Sequence, residues 1–330
     1  MSQSTNDVYP TALRLTLSQK MDGLLHEMEG LRKAFAAKVQ EFAVVIKMGR
    51  TQFQDAVPMT MGQEFGAWAV MVGEDIERVR KAQSLIHEIN MGATAIGTGL
   101  NAHPDYAHLV TAKLAEINGV PVIESHNLVE APQDTGAYVQ LSGVLKHVAV
   151  KVSKICNNLR LLSSGPRAGL REINLPPKAP GSSIMPGKVN PIISEVINQV
   201  AFEVIGNDLT STLAAEAGQL ELNVMEPVIA YNLFSSLDLL GRACRTLTEH
   251  CINGITANRE VCRRMVERSI GLVTALNPYI GYEESTEIAN LALATGGSVY
   301  EIVLEKGYLS QDAPDEILSP ENMTRPRYTK

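Results

Sequence analysis

The chain has 330 residues and a formal net charge of −7, with 45% apolar and 20% charged residues. This acidic balance argues against general nucleic-acid binding, which needs a basic surface. Its apolar runs are too short for a membrane-spanning helix, and its first residues, MSQSTNDVYP, lack the basic and apolar regions of a signal peptide. The four cysteines include no CxxC pair, so we expect a reducing, cytoplasmic setting with neither disulfides nor a zinc site.

Apolar periodicity predicts an all-α chain. The first run extends from about Pro10 to Ile46, where apolar residues recur every three or four positions: Met21, Leu24, Leu25, Met28, Leu31, Phe35, Val39 and Phe42. A second run, about 63–89, has its apolar set at Val70, Val72, Ile76, Val79 and Ile86. Further helices are expected at about 105–117, 135–163, 191–213 and 227–255. Alternating strand patterns are nearly absent, so we expect no sheet of appreciable size.

The predicted helices are much longer than the average of about 11–12 residues in globular proteins. Their apolar stripes need partners along the whole length, which favours a helical bundle made by several chains over a monomeric bundle. Beyond about Asn258 the segments shorten and glycines cluster. We therefore predict a central long-helix domain at 1–257 and a small C-terminal helical domain at 258–330.

The stretch GSSIMPGKVNP, residues 181–191, separates two of these helices. Asn190 is a favoured N-cap, and Pro191 is a favoured first residue of the helix that follows. The free N–H groups at a helix start attract an anion, and Lys188 adds a positive charge beside them. Ser182 and Ser183 supply hydroxyls on a glycine-flanked loop, which fits a site that closes over a carboxylate. From the residues alone, a plain connector rich in glycine and proline fits equally well.

Other motifs carry weaker signals. Gly181 to Lys188 resembles a phosphate loop but has the wrong glycine spacing, and GTGLNA near Gly97 lacks the third glycine of a dinucleotide site. The seven histidines show no ligand spacing. The polar residues of SQSTND, 2–7, are expected to cap the first long helix, and the residues of GRTQ, 49–52, are expected to close it.

Several long motifs together resemble the fumarase/aspartase superfamily. Besides GSSIMPGKVNP they are, in family order, SQSTND (2–7), KMGRTQFQDAVPMTMGQEF (47–65), GATAIGTGLN (92–101), LRLLSSGPRAGL (159–170) and ELNVMEPV (221–228). The similarity covers essentially the whole chain. Gln52 stands where fumarases usually carry histidine, and the Met-Glu of NVMEPV is similar to the aspartase branch.

The resemblance implies a long-helix bundle of this superfamily and the reversible conversion of L-aspartate to fumarate and ammonia. Ser182 would be the general base, and proton removal at Cβ would give an aci-carboxylate. The substrate carboxylate nearer that carbon would be bound by Ser183, Ser4 and Thr5, and the other by Thr51, Lys188 and Asn190. Asn6 and Gln52 would contact the amino group. Met185 completes the expected substrate-binding set, and Glu195 would support the site.

The resemblance also implies a homotetramer whose active sites combine segments of three subunits. No cofactor is required, although some aspartases respond to divalent cations, and the sequence shows no metal-ligand cluster. An upstream segment of roughly 100–150 residues, about one small domain, is expected in the family but absent here. Whether this chain is active alone is therefore open. A fumarase-type hydratase, another fumarate-releasing lyase and a non-catalytic helical oligomer or half of a split enzyme remain alternatives.

Overall fold

The computed structural model of the protein describes residues 3–310, 317 and 320–324. Helices dominate it, which confirms the prediction of an all-α chain. The long helices are α1 (Thr5–Glu41), α2 (Met61–Ile86), α4 (Gly136–Leu162), α5 (Ile192–Glu216) and α6 (Glu226–His250). The shorter ones are α3 (Tyr106–Asn118), α7 (Arg259–Arg268), α8 (Leu272–Ile280), α9 (Tyr282–Thr295), α10 (Val299–Glu305) and α11 (Pro320–Met323). Ser2 of the predicted cap and residues 311–316, 318–319 and 325–330 of the predicted C-terminal domain lie outside the described residues.

The ends of the first and last long helices differ from the prediction. Helix α1 begins at Thr5 and stops at Glu41 rather than continuing to Ile46. Pro10 lies in the second turn, where proline removes one backbone donor, and the Asn6 carbonyl that this donor would meet accepts the Asn90 side-chain amide at 2.9 Å instead. Helix α6 ends at His250, and a short 3-10 turn at Ile252–Gly254 follows it.

The expectation that no sheet of appreciable size forms is wrong at one place. Strand β1 (Ile46–Thr51) pairs with β2 (Gln54–Thr60) in an antiparallel hairpin with a bulge near Gly49. A Cβ on Gly49 would lie 2.7 Å from the Val57 carbonyl oxygen, so the close strand approach requires glycine there. Residues 49–52 therefore belong to a hairpin and do not close a helix.

The remaining strands form two-residue pairs. Strand β3 (Glu88–Ile89) runs parallel to β4 (Ile123–Glu124), and β5 (Ile173–Asn174) runs antiparallel to β6 (Thr256–Ala257).

The described residues divide into two compact units. The first unit contains the residues up to Lys33 together with Val70–Asn158 and Pro177–Cys251. The second contains Ala34–Ala69, Leu159–Pro176 and the residues from Ile252 onward. The predicted domain boundary at residue 257 lies close to the start of the last of these segments. It stays a prediction, and no pattern in the sequence indicated that the two internal segments would join the second unit.

Each unit has its own buried core. In the first, α1 buries a stripe at every third or fourth residue, namely Leu17, Met21, Leu24, Met28 and Leu31. Helix α5 packs along α6, and the buried Asn232 amide donates to Ser211 and to the Asn207 carbonyl. Val70, expected in the apolar stripe of α2, is instead 61% exposed.

The core of the second unit includes an aromatic cluster. Phe65 packs against Phe42 and Trp68 with ring centroids 5.2 and 4.6 Å apart, and Phe35 contacts the same group. Within the part of the chain that the structure describes, no helix combines the length and apolar character needed to cross a membrane.

Candidate active site

The serine-bearing loop lies in the first unit and is closed on itself. The Gly181 N–H donates to the Lys188 carbonyl at 2.8 Å, and the Asn190 side-chain amide donates to the Gly181 carbonyl at 2.9 Å. A Cβ on Gly181 would lie 2.0 Å from the Lys188 oxygen, so the narrow base of the loop needs glycine. Gly187 has φ +81°, a left-handed conformation that glycine adopts without strain. These features hold residues 182–187 out as a projecting loop.

The Ser182 hydroxyl is held by backbone N–H groups of its own loop. Its Oγ accepts the backbone N–H groups of Ile184 and Met185 at 3.2 and 3.1 Å. Both donors remain fixed if the hydroxyl loses its proton, and hydrogen bonds to a charged form favour that form. Ten residues between Pro177 and Val189, among them Ser182, Met185 and Lys188, line a cavity of about 450 Å³. A carboxylate-bearing small molecule has room beside the serine oxygen.

The other predicted residues of the loop have mixed surroundings. Ser183, Met185 and Lys188 are exposed, so their side chains are free to meet a ligand. Asn190 does not cap α5, contrary to expectation. Pro191 occupies the cap position, where its ring has no polar atom to bond, and the Asn190 amide donates to the Gly181 carbonyl. Glu195 lies half-buried in the first turn of α5.

The polar segment at the start of α1 is also in the first unit, and it caps the helix as predicted. The Ser4 Oγ accepts the Asn6 N–H at 3.1 Å, and the Ser4 N–H donates to the Asp7 carboxylate at 3.1 Å. This reciprocal pair is a capping box with aspartate as its acid. Thr5 is exposed. The Asn6 amide nitrogen donates to the Ala95 carbonyl at 2.7 Å, which fixes the side chain.

Asp7, expected only as one of the polar capping residues 2–7, also bonds to a distant loop. It is fully buried, and its second carboxylate oxygen accepts the N–H groups of Gly92 and Thr94 at 3.3 and 3.0 Å. One carboxylate thus joins the start of α1 to the glycine-rich loop 92–101. The position of Asp7 directly after the Ser-Thr-Asn triplet was the one feature of the sequence that could have indicated a role for Asp7 beyond capping.

Thr51 and Gln52 lie in the second unit, at the tip of the β1–β2 hairpin. Gln52 and Phe53 form its two-residue turn with φ of +54° and +62°. Such turns favour Asn-Gly, and residues with larger side chains are strained in this conformation. Strain of this kind is concentrated at functional sites. Phe53 is 78% exposed, so its own packing does not explain the strain.

A buried charge network holds the base of this hairpin. Glu172, which is fully buried, pairs with Arg50 through one carboxylate oxygen and lies 3.0 Å from the Lys47 Nζ through the other. Lys47 is also 2.5 Å from Glu64. Burial lowers the pKa of Lys47, but the two carboxylates outweigh it, so the pKa lies above its usual value. The network fixes the strand that leads to Thr51 and Gln52, and no sequence pattern indicated it.

The predicted site residues therefore lie in three places. Ser4, Thr5 and Asn6 are bonded to the glycine-rich loop, and the 181–191 loop is bonded to itself. Among the described residues no hydrogen bond joins these two groups. Thr51 and Gln52 belong to the other unit. The described residues also contain no group of three or more His, Cys, Asp or Glu side chains placed to hold a metal ion.

Comparison with known proteins matches this architecture to one class. The model of a family described as "Lyase" matches residues 1–206, and one described as "Fumarase C C-terminus" matches residues 272–325. The fold and the matched families make this chain a lyase of the long-helix type.

Curated relatives resemble the chain over its whole length. An aspartate ammonia-lyase of Helicobacter pylori is 60% identical over 329 residues, which cover 100% of this chain and 70% of that protein. Its namesake from Pseudomonas aeruginosa is 62% identical, with 99% of this chain and 69% of the relative covered. The one from Escherichia coli is 54% identical, with coverage of 99% and 68%.

Solved structures agree in fold. A fumarate lyase:delta crystallin from Brucella melitensis, bound to cobalt, superposes with a TM-score of 0.96 at 55% identity. The aligned region covers 99% of this chain and 71% of the Brucella chain. A class II fumarase from Schistosoma mansoni has a TM-score of 0.90 at 35% identity, with coverage of 97% and 70%. The chain belongs to the fumarase/aspartase superfamily, as its motifs indicated, and it is an enzyme of the carbon–nitrogen lyase class.

Proposed function

We propose that the protein catalyses the reversible deamination of L-aspartate to fumarate and ammonia. The observation that carries this proposal is the 54–62% identity, over nearly the whole chain, to proteins named aspartate ammonia-lyase. Gln52, at the position where fumarases usually carry histidine, supports an amino rather than a hydroxy substrate.

The difficult step is removal of a Cβ proton next to a carboxylate. In our proposal the Ser182 oxygen, as an alkoxide, takes this proton, and the electron pair moves into the neighbouring carboxylate to give a doubly charged aci-carboxylate. The two N–H groups that already point at Oγ lower the cost of forming the alkoxide. The C–N bond then breaks, and ammonia leaves with its electron pair as the double bond of fumarate forms. The serine finally returns its proton to solvent.

The remaining predicted residues bind and orient the substrate. Ser183, Ser4 and Thr5 would donate to the carboxylate on which charge develops, where fixed donors lower the barrier most. Lys188, Asn190 and Thr51 would hold the other carboxylate. Asn6 and Gln52 would accept from the amino group; the Asn6 amide nitrogen already donates to Ala95, which suits its oxygen to the acceptor role. Met185 and Glu195 would border the site.

The proposal requires no cofactor, because the substrate's own carboxylate accepts the electron pair. A reducing, cytoplasmic location is part of the proposal. The four cysteines, which are all buried free thiols, support it.

We also propose a homotetramer, which the resemblance implies. Helix α5 presents an exposed apolar stripe on one face, made of Phe202, Ile205, Leu209 and Leu213. These residues recur at helical spacing, and an isolated chain would leave this stripe in water. In the proposed tetramer a second copy covers it, and the three groups of site residues are brought together from different subunits.

The test follows the ultraviolet absorbance of fumarate with L-aspartate, L-malate and substituted aspartates as substrates. Because a further upstream segment is expected in the family, each assay is run with the chain alone and with that segment added as a separate polypeptide. Fumarate release from aspartate supports the proposal. Release from malate but not from aspartate would establish the hydratase alternative. Assembly into a tetramer without turnover in any mixture would favour the non-catalytic oligomer.

A further inference from the structure

The strained turn at the tip of the β1–β2 hairpin needs support that its own side chains do not supply. Gln52 and Phe53 both have φ values in the left-handed region, and both are exposed. Such a conformation persists only where the surrounding structure holds it. Because the turn joins the two strands, its geometry depends on how both of them are held just below it.

Both strands are held at the level of one cross-strand pair, which Arg50 on β1 forms with Asp55 on β2. Arg50 is held on its own side by the buried Glu172. Asp55 has one carboxylate oxygen 3.9 Å from the Arg50 Nε, and its other oxygen accepts the Ser269 hydroxyl at 2.7 Å. The strand that leaves the turn is therefore tied through Asp55 to a residue far along the chain.

Ser269 lies in the short connection between α7 and α8 and is only 3% exposed. Its Oγ also accepts the Gly271 N–H at 3.1 Å, so the hydroxyl is engaged both as a donor and as an acceptor. A Cβ on Gly271 would lie 2.3 Å from the Ala56 carbonyl oxygen, so this connection approaches β2 closely. The connection and the hairpin belong to the same compact unit. Ser269 thus offers Asp55 a donor whose position is set by the packing of that unit.

We propose that Ser269 and Asp55 are positioning residues, which act through the strained turn to hold Gln52 in one orientation. Gln52 is the residue expected to contact the substrate's amino group, so the effect on the reaction rests on the proposed function. The anchoring of β2 by Ser269 rests on the contacts themselves. Neither Ser269 nor Asp55 needs to touch the substrate.

Loss of the Ser269 hydroxyl should release β2 without unfolding the unit. The Asp55 side chain is 49% exposed, so water can replace the lost donor. The turn is then free to relax, and Gln52 meets the substrate only in those molecules that keep the original conformation. A protein that is competent in about one tenth of its molecules binds its ligand about tenfold more weakly. We therefore expect Ser269→Ala to raise the KM for L-aspartate about tenfold with little change in kcat.

Amide hydrogen exchange tests the anchoring without turnover, because it reports local opening of the strands. Ser269→Ala should exchange the amides of residues 49–57 faster than the parent. Ser285→Ala is the matched control, since it removes another buried serine hydroxyl of the same unit, one that donates to the Gly281 carbonyl at the start of α9. This control should leave exchange in the hairpin unchanged. Equal hairpin exchange in the parent and in Ser269→Ala would overturn the proposal.

Kinetics with L-aspartate, in the mixture that releases fumarate, tests the action through Gln52. Ser269→Thr keeps the hydroxyl and should restore most of the parent KM. Asp55→Ala should raise the KM at least as much as Ser269→Ala, and combining the two should add little. The KM effect of Ser269→Ala should also shrink when Gln52→Ala is already present, since residues that act through one another are not additive. An equal fold-change in both backgrounds would indicate a merely structural role and would overturn the proposal.

Failure of this proposal is distinguishable from failure of the proposed function. A parent protein that releases no fumarate from aspartate, together with faster hairpin exchange in Ser269→Ala, would reject the proposed function and keep the anchoring. An active parent protein whose Ser269→Ala variant changes neither hairpin exchange nor KM would reject the anchoring and keep the function.

Discussion

Replacing Glu226 by glutamine should stabilise the protein above neutral pH. Burial raises the pKa of Glu226 from its ordinary value of 4.5 to about 7, with Arg14 opposing the rise. Because the folded-state pKa is above the unfolded value, ionising this carboxyl costs more in the folded state. The free energy of unfolding therefore falls as the pH rises from about 4.5 to about 7, and the loss is complete above that range. At about 1.4 kcal/mol per pH unit, the loss is at most about 3 kcal/mol.

The assay is urea unfolding of the parent and the variant at about pH 5 and about pH 8.5. At the lower pH, Glu226 is protonated in the folded protein and resembles glutamine, so we expect nearly equal free energies of unfolding. At the higher pH we expect the variant to be more stable by about 2 kcal/mol, since partial exposure of the carboxyl reduces the upper figure. Glu116→Gln, at an exposed position of α3, should give no such difference between the two pH values. A gain that is equal at both pH values, or no gain at high pH, would refute the reasoning.

Further predictions concern the hairpin and the thiols. Glu172→Gln should destabilise the protein by about 3 kcal/mol in urea unfolding, because it leaves the buried Lys47 and the half-buried Arg50 with an incomplete partner. An effect below about 1 kcal/mol would mean that the network does not hold the strand. Phe53→Gly should raise the free energy of unfolding by about 1 kcal/mol, because glycine adopts φ +62° without strain. Removal of the exposed ring costs little packing. A loss of stability would show that the ring packs against the protein in solution. The four thiols should react with iodoacetamide only after the protein unfolds, since all four are buried. Burial also raises the pKa of three of them, to about 12 for Cys244, about 11 for Cys251 and about 12 for Cys262. Rapid labelling of the native protein would contradict this prediction.

Periodicity predicted most of the helical fold because long helices carry a strong repeating signal. Helix α4 was expected at about 135–163 and lies at Gly136–Leu162, and α3 also agrees within about one residue at each end. The hairpin was missed because β1 is half polar and continues directly from the apolar stripe of α1. Gly49 and Pro58 looked like loop residues, yet glycine is needed where the bulged strands approach closely.

The site was predicted from motif likeness more than from local physics. Local reasoning correctly expected a helix cap within residues 2–7, because capping depends on nearby residues, and Ser4 supplies it. It assigned Asn190 wrongly to a cap, because the competing bond to Gly181 depends on a loop closure that spacing does not reveal. The loop contact of Asp7 and the charge network of Glu172 were missed for a related reason. Their partners lie about 85 and 122 residues away in the chain, and no local pattern encodes such contacts.

The most direct test of the account is the initial rate of fumarate release from L-aspartate by Ser182→Ala, measured beside the parent protein and two other serine variants. Ser183→Ala distinguishes the neighbouring hydroxyl, and Ser84→Ala, on the exposed face of α2, is the matched control. The account predicts that Ser182→Ala loses about 10²–10⁴ of the rate with unchanged assembly. Ser183→Ala should lose less, and Ser84→Ala nothing. A Ser182→Ala protein that releases fumarate at the parent rate would contradict the assignment of this oxygen as the base.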